Sequence, residues 1–337
     1  MSEPVALVLL LLLLVGPLAA APLERNIEFY FLAVGMLATA LSWEFSWALA
    51  WDALRTPVPI ALAVAIAATL FAAARKKLDR MFERLETTVR RSVLTGLSIF
   101  LIALVSSLIT AIVAALVLVE AVGLLRLTKR ARTTVVVSGC FAIGLGSSLS
   151  PLGEPLATLA ARAMGLPFLG LFHLLGAYVV PGMAACALIA GFYARGQFSP
   201  RIAAVHAHET TSDALFQALK VYAFIAGLVL ISEAFAPLAV KYTSRLNPAT
   251  LFWANTLSAV VDNATLVALE VRGMDASRAR DAIISLLVAG GMLIPGNIPN
   301  IICAGQLGIG SGEWARVGLP LGLVMMGSYF AVLLYCG

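Results

Sequence analysis

The sequence predicts an all-α polytopic membrane protein: an inverted-topology repeat with two re-entrant hairpins and two broken transmembrane helices. Three observations carry that expectation. Of the 337 residues 61% are hydrophobic and 12% charged, with a mean hydropathy of +0.97, which sets the chain apart from water-soluble globular proteins. Apolar runs of about 20 residues, enough helix to cross a ~30 Å hydrocarbon core, recur along it. Finally, two glycine- and proline-rich stretches interrupt such runs in the same manner. One reads Gly146-Ser147-Ser148-Leu149-Ser150-Pro151-Leu152-Gly153-Glu154-Pro155; the other reads Gly290-Gly291-Met292-Leu293-Ile294-Pro295-Gly296-Asn297-Ile298-Pro299-Asn300. An offset of 144 positions lays Gly146 on Gly290, Leu149 on Leu293, Pro151 on Pro295 and Pro155 on Pro299. Backbone left unbonded in hydrocarbon costs several kcal/mol per group, so it persists only when buried in protein or lining a wet cavity. Paired breaks in two halves of one chain point to the central site of a carrier.

The whole chain, 1–337, reads as a single integral membrane unit. Residues 1–92 supply scaffold helices near 4–21, 29–51 and 57–74, then a basic stretch from Arg75-Lys76-Lys77 to Arg90-Arg91 whose spacing suits an amphipathic helix on the membrane surface. The leader, Leu7–Leu14 followed by Gly16-Pro17 and Ala19-Ala20-Ala21, fits either a first spanning helix or a signal peptide. Glu3 in place of a basic n-region favours the helix. Basic loops face the cytoplasm, which places 75–91 there.

The first repeat covers 93–193. Its apolar stretch 93–123 lies between that basic loop and a second cluster, Arg126, Lys129, Arg130 and Arg132. Two cytoplasmic ends require the stretch to dip in and return, turning at Ser106-Ser107-Leu108-Ile109-Thr110; one long tilted helix is the alternative. A broken helix over 133–165 and a returning helix over 167–193 follow. The second repeat covers 214–337: a crossing helix at 214–240, a hairpin at 247–272 from the opposite face, a broken helix at 281–306 and a last helix at 312–336.

The densest polar cluster in an apolar segment runs from Asn255 to Thr265 and holds Asp262-Asn263. A mid-membrane aspartate costs roughly 2.5–3.5 kcal/mol on insertion scales. A carboxylate beside the oxygens of Asn263 and Thr265 suits Na⁺, and the same group can hold H⁺; alternatively, Asp262 caps a hairpin arm. Glu154, between Gly153 and Pro155, is the second candidate carboxylate, with the hydroxyls of Ser147, Ser148 and Ser150 nearby; a solvated helix start is its alternative reading. Thr110 at the first hairpin's turn and Asn297 and Asn300 in the second break complete the candidate ion and substrate ligands. Gly146, Pro151, Gly153, Pro155, Gly290, Gly291, Pro295, Gly296 and Pro299 make the breaks themselves.

Other polar residues rank lower. Glu120 and Glu270, near hairpin-arm ends, read as structural or gating through snorkelling. Glu44 and Glu233 lie in apolar segments that could carry protons. Trp43, Trp47 and Trp51 share one face of a helix, as an interfacial belt. His206 and His208 fall in a polar loop, and His173 packs or hydrogen-bonds within a span. Cys140, Cys186, Cys303 and Cys336 lack metal-ligand spacing and read as small buried hydrophobes.

FAIGLGSSLSPLGEPLATLA (141–160), FWANTLSAVVDNATLVALEV (252–271), AGGMLIPGNIPNIICAGQLGIGSGEWARVGLPLG (289–322) and SSLITAIVAALVLVE (106–120) closely resemble a prokaryotic family of cation-transporter candidates, catalogued largely as a domain of unknown function. That family in turn resembles the ion transporter superfamily of sodium/proton antiporters and arsenite and di- or tricarboxylate carriers. Asp262-Asn263 is similar to the antiporters' Asp-Asn-(Ile/Val)-Pro motif, with Ala264 and Thr265 where proline is usual. Ser150-Pro151-Leu152-Gly153-Glu154-Pro155 is similar to their Thr-Pro-Ile-Gly-Asp-Pro. Ala111-Ile112 stands where relatives often carry a second Asp-Asn. The resemblance implies a multi-pass protein of a prokaryotic plasma membrane, and dimers are common in that superfamily.

The expectation that results is a secondary transporter with no cofactor beyond its coupling ions, exchanging Na⁺ for protons by alternating access. The rival is a sodium-coupled symporter of a small organic anion or oxyanion. Its partners would be the bilayer, small inorganic cations and protons. No enzyme is expected, since paired aspartates, a Ser–His pair and the zinc motif of intramembrane proteases are missing from the sequence. The absence of a Walker-type loop excludes nucleotide-driven pumping by this chain, and the +5 charge fits anionic lipid, not nucleic acid.

Overall fold

A computed structural model describes residues 3–19, 23, 26–58, 61–62, 65–66, 90–125, 127–196, 211–243, 246–260, 263–271 and 273–336. These form an all-helical structure without strands among the described residues. The expected amphipathic stretch at 75–91 and both loop histidines lie almost wholly outside the described residues, as does most of the expected helix at 57–74. Four segments are long and apolar enough to cross a membrane: Arg91–Ile109, Gly170–Tyr193, Ala218–Pro237 and Ser311–Tyr335. The protein is a membrane protein on that ground.

Helix α1 spans Glu3–Ala19 and α2 spans Ile27–Ser42. The helix expected over 29–51 is in fact two. Trp43 adopts a left-handed conformation (φ 59°) that ends α2, and Ser46 accepts a hydrogen bond from the Leu49 N–H at 3.0 Å to start α3, Trp47–Arg55. Trp43 therefore leaves the face that Trp47 and Trp51 share at i, i+4 spacing, although all three are exposed. Glu44 is exposed in the link, and Glu233 is exposed too, which removes both from any buried proton path.

Helix α4 (Arg91–Ile109) meets α5 (Ala111–Leu125) at the single residue Thr110, in a positive-φ conformation (φ 75°) rare for a β-branched residue. The turn thus falls at the end of the expected Ser106–Thr110 segment, and the first arm, at 19 residues, is no short one. Next come α6 (Lys129–Ser147), α7 (Pro155–Met164) and α8 (Gly170–Tyr193). Helix α9 (Thr211–Thr243) precedes α10 (Pro248–Ala254), a 3₁₀ turn over Asn255–Ala259, and α11 (Asn263–Glu270). The chain ends with α12 (Ala276–Gly291), α13 (Ile298–Leu307) and α14 (Ser311–Cys336).

The same design appears on both sides of α9. Helices α7 and α13 each have 10 residues, carry a proline in the first turn and stop at a left-handed glycine, Gly165 or Gly308. Proline suits that first turn because its missing N–H has no helical partner there anyway. Helices α8 and α14, 24 and 26 residues long, each contain an internal proline, Pro181 or Pro320. Packing crosses between the halves: α5 lies on α13, and α11 lies on α7. Helix α9 packs chiefly along α2, where Gly35 and Gly227 let the backbones touch and the Phe31 and Phe224 rings stack at 4.8 Å.

Polar contacts fix the orientation of these pieces. Lys129 pairs with Glu313 at 2.6 Å, so α6 and α14 start together. Arg280, near the start of α12, donates to the Tyr178 hydroxyl at 3.1 Å, in the first half of α8. Asp275 caps α12 by accepting from the Arg278 N–H at 3.0 Å and the Ser277 hydroxyl at 2.6 Å, and these bonds hold its carboxyl below its ordinary value.

Candidate functional site: two facing helix breaks

The breaks occupy 148–154 and 292–297, and the two broken helices cross near them. A Cβ added at Gly144 would lie 2.9 Å from Asn297 Nδ2, and one at Gly291 would lie 2.5 Å from the Phe141 ring. Cys140 Sγ lies 3.6 Å from the Pro299 carbonyl oxygen. The second break is therefore packed against α6, the helix that leads into the first break.

The first break docks on the first hairpin. The Ala111 N–H donates to the Gly153 carbonyl at 2.7 Å, and Ser150 Oγ donates to the Ser107 carbonyl. The fit is tight: a Cβ at Gly153 would stand 1.9 Å from the Ser147 carbonyl oxygen, and one at Gly146 1.9 Å from that of Ala103. Half-buried Thr110 receives the Val113 N–H at 3.5 Å, capping α5.

Ser147, Ser148 and Ser150 are buried, and each donates its one hydroxyl proton to a backbone carbonyl: Gly144, Leu145 and Ser107 respectively. What their oxygens retain is lone pairs, so the three serines are acceptors only. Glu154 stands at the start of α7, as its position before Pro155 foretold. It is 6% exposed, which overturns the solvated reading, and its side chain does not cap the helix.

The second break closes differently. Asn300, fully buried, donates from Nδ2 to the Gly290 and Leu293 carbonyls, both at 2.8 Å, and its Oδ1 accepts no hydrogen bond. Trp314 Nε1 donates to the Gly291 carbonyl at 3.2 Å. The second hairpin reaches this break through Ala259, which a Cβ at Gly296 would meet at 3.0 Å. Asn263 is buried beside Gly290, and its Nδ2 has no hydrogen-bond partner. Asn297, in the second break, is buried as well, beside Gly144 of α6. Asp262 lies outside the described residues; of Thr265 only the backbone, in α11, is described.

Sequence reasoning underrated Glu270. It does not snorkel but is buried: Asn255 Nδ2 lies 2.9 Å from Glu270 Oε2 and 2.9 Å from Ser285 Oγ. No local spacing announces that cluster, because Asn255 and Ser285 belong to different elements. Glu120 is half-buried. His173 is exposed, edge-on to Phe172, and not packed within a span as expected. Cys140, Cys186 and Cys303 are buried free thiols. Among the described residues, the buried charged side chains are Glu28, Glu154 and Glu270, all acidic. No three His, Cys, Asp or Glu side chains converge among them as transition-metal ligands would.

A comparison with curated proteins gives no match. The family model described as "Protein of unknown function (DUF1646)" matches residues 4–336, nearly the whole chain, and the protein belongs to that family.

Proposed function

We propose that this protein is a secondary active transporter of a prokaryotic plasma membrane, exchanging Na⁺ for protons by alternating access. The observation that carries the reading is the character of the facing breaks. Their buried oxygens are the acceptor-only hydroxyls and the Glu154 carboxylate at the first break and an amide oxygen without a donor at the second, where Asn263, the immediate neighbour of Asp262, is buried beside Gly290. A monovalent hard cation loses its water only where several such oxygens replace it. A carboxylate that takes either Na⁺ or H⁺ makes the two compete, and that competition is antiport in its simplest form. Each net charge moved couples to the membrane potential at about 2.3 kcal/mol per 100 mV.

The duplicated design supports an inverted-topology repeat. Lys129 and Glu313 bring the starts of α6 and α14 together, while Arg280 and Tyr178 set the start of α12 toward the opposite end of α8. Helices α6 and α12 then run in opposite senses, with a hairpin preceding each: α4–α5, and α10 to α11 as the re-entrant counterpart. Alternating access follows when one half and then the other opens about the crossing of the breaks.

The test is proton movement across vesicles containing the purified chain, triggered by Na⁺, Li⁺ or K⁺ and read with a pH-sensitive dye. The expected result is a Na⁺-dependent signal that Asp262→Asn abolishes and Glu154→Gln lowers at least tenfold, a change of about 1.4 kcal/mol. An unchanged signal in folded Asp262→Asn protein would refute the assignment. Silence from folded wild-type protein, with sodium-dependent uptake of a dicarboxylate, would establish the anion symporter instead.

A further inference from the structure

A groove of about 800 Å³ lies between α6, α8 and α14, away from the breaks' own ligands. At its mouth stand Lys129, Arg130, Tyr193, Glu313 and Arg316. Lys129 is engaged by Glu313, whereas Arg130 and Arg316 form no ion pair among the described residues, so the mouth keeps a net positive charge. The starts of α6 and α14 add the positive ends of two long helices.

Below the mouth the walls change character. Val317, Leu321 and Val324 follow one another down α14 at helical spacing, facing Ile189 of α8. On the α6 side Thr133 and Thr134 return their hydroxyl protons to the carbonyls of Lys129 and Arg130, and so present little polarity. Deeper still, Ser138 lines the groove, fully buried, and its Oγ has no hydrogen-bond partner. The interval from Lys129 to Ser138 is about 14 Å of helix, close to the depth of one leaflet's hydrocarbon. The rims at this level are exposed and apolar, with Leu188 and Phe192 on α8 and Leu323 and Val324 on α14. The groove is thus cationic at its mouth, apolar below and flanked by exposed apolar side chains.

We propose that this groove binds an anionic phospholipid. Arg130 and Arg316 hold the phosphate head, an acyl chain lies along Val317, Leu321 and Val324, and Ser138 offers its hydroxyl to an ester oxygen or a water beneath the head. A soluble anion would use the charges but leave the apolar wall and its exposed apolar flanks unexplained. A neutral lipid would leave the two arginines without a counter-charge. The inference is independent of what the protein carries.

The experiment is native mass spectrometry of the purified full chain equilibrated with mixed phosphatidylglycerol and phosphatidylcholine, counting lipids that stay bound. Wild-type protein should retain phosphatidylglycerol over phosphatidylcholine, and Arg130→Gln with Arg316→Gln should lower that preference about 25-fold, since each arginine near a membrane surface contributes on the order of a fivefold gain. Leu321→Trp, which fills the wall, should lower retention of both lipids while the protein stays folded by thermal melting. Arg278→Gln, far from the groove along the chain and on another helix, serves as the control and should change nothing. Equal retention of the two lipids, or a preference untouched by the double substitution, overturns the proposal. Displacement of bound phosphatidylglycerol by millimolar inorganic phosphate or succinate also overturns it, because the groove would then be a soluble-anion site.

Discussion

The two helix breaks use one local device and close it in two ways. The first hangs on a neighbour: Gly153 and Ser150 bond to the hairpin tip at Ala111 and Ser107. The second clasps itself, with Asn300 bridging the Gly290 and Leu293 carbonyls from within its own helix. Charge divides in the same way, Glu154 in the first and amides alone in the second. A break bonded to a hairpin tip feels that hairpin move, whereas one bridged by its own asparagine, with Trp314 as the outside hold, keeps more of its shape while the hairpins shift. The first break is thus tied to its hairpin and the second chiefly to itself and to Trp314.

The largest effect expected is steric. Gly146→Ala and Gly153→Ala should yield little folded protein, because each new methyl would meet a backbone carbonyl at 1.9 Å, which no side-chain rotation relieves. Gly296→Ala, whose methyl meets Gly290 O at 2.5 Å, should fold with lowered stability, and Gly327→Ala, with nothing within 4 Å, should match wild type. Monodisperse yield and melting temperature in detergent measure the series. A Gly296→Ala more damaging than Gly153→Ala would reverse the assignment of which break is the less tolerant.

Next in size is the clasp. Asn300→Ala removes two hydrogen bonds and strands buried carbonyls, which should cost about 2–3 kcal/mol in unfolding measurements. A loss well under 1 kcal/mol would mean that Trp314 alone holds the second break. The smallest effect tests what the two halves have in common. Ser106 Oγ donates to the Ala103 carbonyl at 2.6 Å and lies 3.3 Å from the Ile143 carbonyl, while Ser258 Oγ donates to the Leu286 carbonyl at 3.4 Å, so each hairpin brings a serine hydroxyl to its own broken helix. Ser106→Ala and Ser258→Ala should each cost about 0.5–1 kcal/mol and by similar amounts. A several-fold difference between them would show that the halves diverge beyond their breaks.

The all-helical, membrane-spanning character was legible because such helices announce themselves through length and apolarity, and the breaks were legible through glycine and proline at a repeated spacing. The stops at Gly165 and Gly308 follow from the same local chemistry. What escaped was nonlocal. The Trp43 corner depends on one left-handed residue and a serine cap, both hidden in an apolar run that reads as continuous helix. Glu270 looked interfacial by its distance along the chain, yet it is buried and accepts from Asn255, whose amide also reaches Ser285 on another element. Asn300 was legible as a polar residue in a break, but its use of both amide protons as a clasp depends on the folded path of the chain. The grouping of Arg130 with Arg316 came from packing between helices that lie far apart in sequence.

Trp314 has a consequence for spectroscopy. Of the five tryptophans, Trp43, Trp47, Trp51 and Trp253 are exposed, while Trp314 is wholly enclosed with its indole N–H on the Gly291 carbonyl. Its enclosure places its emission at the blue edge of the intrinsic fluorescence and shields it from collisional quenchers. The second break thus carries its own optical reporter, and a shift of that edge when an ion is added would record a change at the break without any label being attached.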